Sequence, residues 1–236
     1  NYEKNAEGTQ IDITGSKVDL TSYLEKDGDG LSFKNFPAVK LKADIGKLIL
    51  GKDRALSGFK GELFCDKAIC HNANISGATD TKKPFSVKIT KDAKKQRQLL
   101  VFSEDAGAFL HAIGVLDGMN GGTLTLSGNY KENNDGSTLT GKMAITEHTI
   151  KDAPLLGKIL SLASLTGFID ALAGNGIRFK ELSLPFKLHN DVATLEKGKT
   201  YGSAIGITVD GTITFPKKIL DLQGTVVPSY TLNNVL

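Results

Sequence analysis

Val39-Lys40-Leu41-Lys42-Ala43-Asp44-Ile45 alternates apolar and charged residues without a break. A period of two places Val39, Leu41, Ala43 and Ile45 on one face of a strand and Lys40, Lys42 and Asp44 on the other. Working outward, Phe85, Val87 and Ile89 repeat the pattern against Ser86 and Lys88. Leu124 and Leu126 alternate with threonines, Leu139, Met143 and Ile145 with polar neighbours, and Leu220, Leu222 and Val226 with Asp221, Gln223 and Thr225. Strands with one apolar and one wet face belong to an antiparallel sheet covered on one side. Asp-Gly or Asn-Gly pairs start at Asp27, Asp29, Asp117, Asn120, Asp135, Asn175 and Asp210, and such pairs mark hairpins when alternating strands flank them. The spacing predicts roughly a dozen strands in a long antiparallel meander, a mainly β fold.

Composition agrees with a folded chain. The 236 residues are 40% hydrophobic and 23% charged, with 26 Gly and no Trp, which argues against disorder, collagen and a disulfide-stapled miniprotein. Length allows one large β domain or two ordinary ones. Aromatics make up 7%, too few for a single-strand stacking platform, and a net charge of +3 does not suit DNA, so no nucleic acid is expected as partner. The basic run Lys91, Lys94, Lys95 and Arg97 reads as a solvated strand-connecting turn, with a phosphate or lipid-headgroup contact as the alternative. Gly-flanked strands at 8–15, 122–128 and 206–211 form a loose internal echo.

Two segments read as helix. Ala106, Phe109, Leu110, Ile113 and Leu116 recur at helical spacing over 104–116, with Gly118 as a stop. Over 152–173, Asp152 is the expected N-cap and Leu155, Leu156, Ile159, Leu160 and Ala163 form one stripe. Leu165, Phe168, Ile169 and Leu172 continue it with a phase shift, which predicts two short helices. Lys158 and Asp170 interrupt the apolar run, so a helical plug on the sheet is favoured over a membrane span.

Catalytic and metal motifs fail on context. Gly46 to Lys52 spells the start of a phosphate-binding loop, but Asp53 stands where a hydroxyl is needed and the interior looks like strand. Ser57 and Lys60 form S-x-x-K with no accompanying motif. Asp27-Gly28-Asp29-Gly30 begins like a calcium loop, yet Ala38 sits where a bidentate Glu belongs. His71, His111, His148 and His189 each stand alone. No enzyme, metal or cofactor is therefore expected. Cys65 and Cys70 bracket a turn-like stretch: free thiols in a reducing compartment, a cross-strand disulfide in an oxidising one.

The run Asp152-Ala153-Pro154-Leu155-Leu156, then Leu160-Ser161-Leu162-Ala163-Ser164-Leu165-Thr166-Gly167 and Gly176-Ile177, resembles the AsmA-like C-terminal domain. Leu220-Asp221-Leu222-Gln223-Gly224-Thr225-Val226-Val227-Pro228-Ser229-Tyr230-Thr231-Leu232-Asn233 looks like the same family's closing signature. The likeness covers about residues 100 to 236, with Asp105-Ala106-Gly107 and Gly121-Gly122-Thr123-Leu124 included; before residue 100 it is one of style. It implies the AsmA, TamB and YhdP group of bacterial bridge-like lipid transporters, held in the inner membrane by an N-terminal helix and extending a β-groove through the periplasm toward the outer membrane.

That resemblance yields the working expectations. The chain should be one elongated fragment of a larger protein, with β repeats over 1–103 and the AsmA-like region with its capping helices over 104–236. Its sheet should curl into an open groove. It should lie in the periplasm and bind phospholipid, with an envelope or outer-membrane protein as a further partner. The groove candidates, chosen by strand parity, are Val39, Leu41, Ile45, Phe85, Val87, Ile89, Leu124, Leu126, Met143, Ile145, Leu220 and Leu222. Capping is assigned to Leu155, Leu156, Ile159, Leu160, Phe168 and Ile169, and an oxidising site favours a Cys65–Cys70 disulfide. The competing expectation is a scaffolding β-protein of the cell envelope whose inner face is filled by its own side chains.

Overall fold

Strands in this chain reach 16 residues, well past the alternating stretches that mark them. The computed structural model describes residues 2–5, 8–26, 36–67, 69–93, 95–133, 136–151, 157, 174–215 and 219–228. The strands are β1 (Tyr2–Asn5), β2 (Gly8–Asp19), β3 (Phe36–Gly51), β4 (Arg54–Lys67), β5 (Ile69–Ala78), β6 (Pro84–Lys91) and β7 (Arg97–Ser103). They continue with β8 (Met119–Asn133), β9 (Gly136–Ile150), β10 (Ile177–His189), β11 (Val192–Tyr201), β12 (Ile205–Thr214), β13 (Ile219–Gln223) and β14 (Val226–Pro228). Among the described residues two short helices accompany them, α1 (Thr21–Lys26) and α2 (Ala106–Ala112). Apart from Gly157, the capping segment expected at 152–173 lies outside the described residues.

All strands join one sheet in sequence order from β1 to β13, and β14 pairs β12 beyond β13. The two ends of that order do not pair with each other, so the meander stays open. One join departs from the antiparallel expectation: β2 and β3 run parallel, with Ile11 opposite Leu41. The chain leaves β2 through α1 and residues 27–35 before re-entering at Phe36, the long crossover that a parallel pair requires. α1 is tied to that end of β3, where the Leu20 N–H donates to the Ile49 carbonyl at 2.9 Å. Asp19 accepts from the Thr21 N–H, and this bond lowers its carboxyl pKa.

The turn dipeptides divide by role. Gly136 sits at the β8–β9 connection opposite Asn133. Asn120-Gly121 and Asp210-Gly211 instead lie within β8 and β12, where Gly121, Gly122 and Gly211 carry positive φ. Asp117-Gly118 and Asn175-Gly176 lead into β8 and β10, and the pairs at Asp27 and Asp29 fall outside the described residues. The tight β10–β11 turn uses Asn190 and Asp191 at φ 47 and 64, the backbone of a type I′ hairpin made without glycine.

Parity reverses in mid-strand without a change of register. Ile45 and Leu48 are both buried although three residues apart, while the pairing of β2, β3 and β4 keeps the same offset on either side of Ser16, Gly46 and Gly58. A Cβ on Gly46 would lie 2.7 Å from the Ser16 carbonyl oxygen, so the crossing point admits only glycine. Glu147, at φ 49, performs the same switch in β9 and turns both Ile145 and His148 inward.

α2 covers one end of the apolar face. Asp105 caps it, accepting from the Ala108 N–H at 3.0 Å and from the Thr81 hydroxyl at 2.8 Å. Ala106, Phe109, Leu110 and Ala112 point into a core with Ile45, Leu48, Leu56, Phe85, Met119, Leu124 and Ile145. The helix is shorter than the 104–116 expected. Gly114 adopts φ 72 and the Val115 N–H turns back to the Leu110 carbonyl, which leaves Ile113 and Leu116 exposed instead of continuing the buried stripe. Among the described residues no helix is long and apolar enough to cross a membrane.

Candidate functional site

Cross-strand register assembles the apolar positions into continuous rows. Ile13, Ala43, Gly61, Ile75, Val87, Val101, Leu126, Met143 and Leu184 stand opposite one another from β2 to β10. The neighbouring row joins Ile11, Leu41, Leu63, Ala73, Ile89, Leu99, Gly128, Gly141, Phe186, Leu195, Gly211 and Leu222. A third carries Phe85, Ser103, Leu124, Ile145 and Leu182 beneath α2. Val39 lies in a further row opposite Cys65, and Leu220 opposite Ile213. The register thus places all twelve groove candidates on one face.

Depth along that face is uneven. Ile45, Phe85, Leu124 and Ile145 are buried, with Phe85 and Phe109 rings 5.0 Å apart, so this end is a closed core. Past the helix Leu41, Val87, Leu126 and Met143 are half-buried, whereas Ala73, Ile89 and Leu195 in the neighbouring row are buried. At the last strand Leu220 and Leu222 are 47% and 36% exposed, forming an uncovered edge. Among the described residues α2 packs on β4, β8 and β9, α1 packs on β3, and the strands contact mainly their sheet neighbours. Among the described residues no second sheet closes the face. A trough of half-covered aliphatic side chains can take up hydrocarbon at about 0.8 kcal/mol per buried methylene.

The opposite face is mostly polar, although Phe64, Leu100 and Phe102 lie on it opposite Lys40, Lys88 and Ser86. Lys42 pairs with Glu62 at 3.1 Å and Lys60 with Asp44 at 3.2 Å, and all four side chains are well exposed. A shallow depression of about 700 Å³ on this side runs over Gln10, Lys40, Glu62, Asn74 and Lys88. Its lining mixes both signs of charge.

Parity had more to offer than the twelve residues. Ile11, Leu63, Leu99, Val101 and Leu184 belong to the same rows; Ile11, Leu63 and Leu184 follow an alternation that could have been read, whereas Leu99 and Val101 lie in the unbroken apolar run Leu99-Leu100-Val101-Phe102. Arg97 is a correction. Lys95 occupies the exposed β6–β7 turn as expected and Lys91 is the exposed last residue of β6, Lys94 lies outside the described residues, and Arg97 is inward and only 7% exposed. Cys65 and Cys70 stand directly opposite each other and are joined by a disulfide, Cα atoms 3.9 Å apart.

The histidines differ sharply. His111 holds Asp117 at 2.6 Å through Nδ1 and the Asp53 carbonyl at 3.1 Å through Nε2, and the carboxylate contact raises its pKa. His148 is 2% exposed and stacked on Phe179, and among the described residues its Nδ1 has no hydrogen-bond partner. Burial lowers its pKa from 6.5, opposed weakly by Glu147. A folded pKa below the unfolded value means stability that is present above about 6.5 and lost as pH falls toward the folded pKa. His111 works in the other sense, and its exposure keeps the effect small. The melting temperature is therefore expected to fall between pH 7 and pH 5, and His148→Phe, which keeps the stacked ring, should flatten that fall; an unchanged slope would remove His148 as its source.

Among the described residues no His, Cys, Asp and Glu cluster could hold a metal ion. Comparison with protein-family models, with curated proteins and with solved structures finds no match for this chain.

Proposed function

We propose that the uncovered part of the apolar face accommodates phospholipid acyl chains, and that the chain is a periplasmic segment of a bridge-like lipid transporter of the AsmA-like kind. The observation that carries the reading is the row from Ile13 to Leu184, apolar throughout and, among the described residues, roofed by a helix at the α2 end alone. On this reading acyl chains lie along the rows, headgroups stay at the wet rim, and the longer protein reaches the inner membrane through an N-terminal anchor. An envelope or outer-membrane protein would receive the lipid. The motif likeness over residues 100 to 236 supports the same assignment.

The closed core under α2 favours a second reading, an envelope scaffold whose face is filled by its own side chains. Photo-crosslinking in cells separates the two. A photoreactive residue at Leu41, Leu126 or Met143 is expected to capture phospholipid, while one at Lys40 or Lys42 is not. Equal labelling of both faces, or none anywhere, would leave the scaffold.

A further inference from the structure

On the lipid reading above, we infer that Arg97 and Glu132, at the end of the apolar face remote from α2, form a headgroup site for phospholipids that carry both a phosphate and an ammonium group. β7 enters at Arg97 and leaves at Ser103 beside α2, so Arg97, Leu99 and Val101 run down one line from the wet rim to the core. Arg97 is the one Lys, Arg, Asp or Glu buried among the described residues, and it shares its face with aliphatic side chains. A guanidinium in such a place must have partners. Its Nη1 donates to the Cys70 carbonyl at 2.7 Å, Nε to Glu132 Oε1 at 3.1 Å and Nη2 to the Ser137 hydroxyl at 2.9 Å. Nη2 also meets Glu132 Oε1, and the cation stands 4.2 Å over the Tyr130 ring.

The pair is layered. The cation lies inside and its counter-ion outside, where the Glu132 side chain is 54% exposed and both Arg97 contacts fall on one carboxylate oxygen. A bolt that only fastens β5 to β7 and β8 has no need of a half-exposed carboxylate. A zwitterionic headgroup makes use of it. Its phosphate takes the Arg97 fork, the geometry in which guanidinium recognises phosphate best, while Glu132 turns outward to the ammonium. One ion pair becomes two and no charge is left buried alone. A purely anionic headgroup would meet Glu132 as a like charge. Leu99 and Leu126, next along the face, then receive the acyl chains.

The test offers wild-type protein an equimolar mixture of phosphatidylethanolamine, phosphatidylcholine and phosphatidylglycerol with identical acyl chains, and native mass spectrometry reads the bound lipid. The two zwitterionic lipids should exceed phosphatidylglycerol about tenfold, the ratio one charge-assisted contact supplies. Glu132→Gln should bring that ratio near one while total bound lipid is kept. Glu132→Asp, which retains the charge, should keep the preference, and a thermal melt of each variant excludes unfolding as the cause. A wild-type ratio near one, or a Glu132→Gln profile equal to wild type, overturns the headgroup site although lipid binds. Absence of any bound lipid overturns the groove reading instead. Soluble phosphoethanolamine that competes at the lipid's own concentration would show a free zwitterionic phosphate, not a lipid, to be the ligand.

Discussion

Ile145→Asp is expected to abolish the cooperative urea transition or to move its midpoint to very low denaturant. Ile145 is 0% exposed, between Leu124 and Leu182 in the row beneath α2. A carboxylate there would sit among the apolar side chains of the α2 core, and burying it without a partner costs at least about 4 kcal/mol. That is a large part of the roughly 5–15 kcal/mol that holds an ordinary domain together. Leu126→Asp changes the same face one row nearer the rim. Leu126 is only half-buried, so its carboxylate can reach water and the cost should be about 1–2 kcal/mol. The pair of variants separates closed core from open trough: a fold that fails at Ile145 and persists at Leu126, with loss of lipid capture at the latter, is the pattern of a conduit. Equal destabilisation by both would mean that the face beyond α2 is also filled.

Phe109→Ala should cost about 3–5 kcal/mol by urea denaturation. Phe109 is the largest side chain α2 buries and packs against Phe85 at a 5.0 Å ring separation. A helix of seven residues has no stability of its own, so it stays only while its apolar side stays docked. Gly107 shows how closely it docks: a Cβ there would lie 2.2 Å from the Met119 carbonyl oxygen. Combining Phe109→Ala with Phe85→Ala should destabilise less than the sum of the two, by about 0.5–1.5 kcal/mol, since both remove one aromatic contact. Hydrogen exchange should speed up first at 106–112 and only later along β8; simultaneous loss would show that helix and sheet unfold as one unit.

The two ends of that comparison were not equally legible in the sequence. Alternation from Val39 to Ile45 carries its own face assignment, because every second side chain of a strand points the same way. Parity therefore suffices to group residues from Val39 to Leu222 on one face, and it could have included Ile11 and Leu63, but not Val101 within the unbroken run Leu99-Leu100-Val101-Phe102. What parity does not carry is depth: Ile145 is sealed and Leu126 half-open only because α2 returns over β8 and β9, a tertiary contact. Glu147 reverses the phase of β9 with a positive φ that no residue type announces, and it sends His148 into the core. Arg97 was hidden by its company, since three lysines nearby make the run look like a turn. The parallel β2–β3 join depends on a crossover, and nothing local in either strand specifies which neighbour it will meet. The overestimated length of α2 has a plain cause: Ile113 and Leu116 keep the helical period past Gly114, where the backbone has already turned away.

The unclosed sheet order gives the architecture a grammar of inheritance. Each interior strand is bonded to the two that flank it in sequence, so a duplicated hairpin can be spliced in without disturbing distant partners. Every such insertion extends the array by about 10 Å, twice the spacing between strands. A single strand cannot be gained in this way, because it would leave all later strands running backwards and their turns on the wrong side. Only a crossover such as the one between β2 and β3 can absorb an odd number, since it carries the chain back to its starting side before the next strand begins. Descendants of such a chain should therefore differ in length by even steps, with odd steps confined to parallel joins.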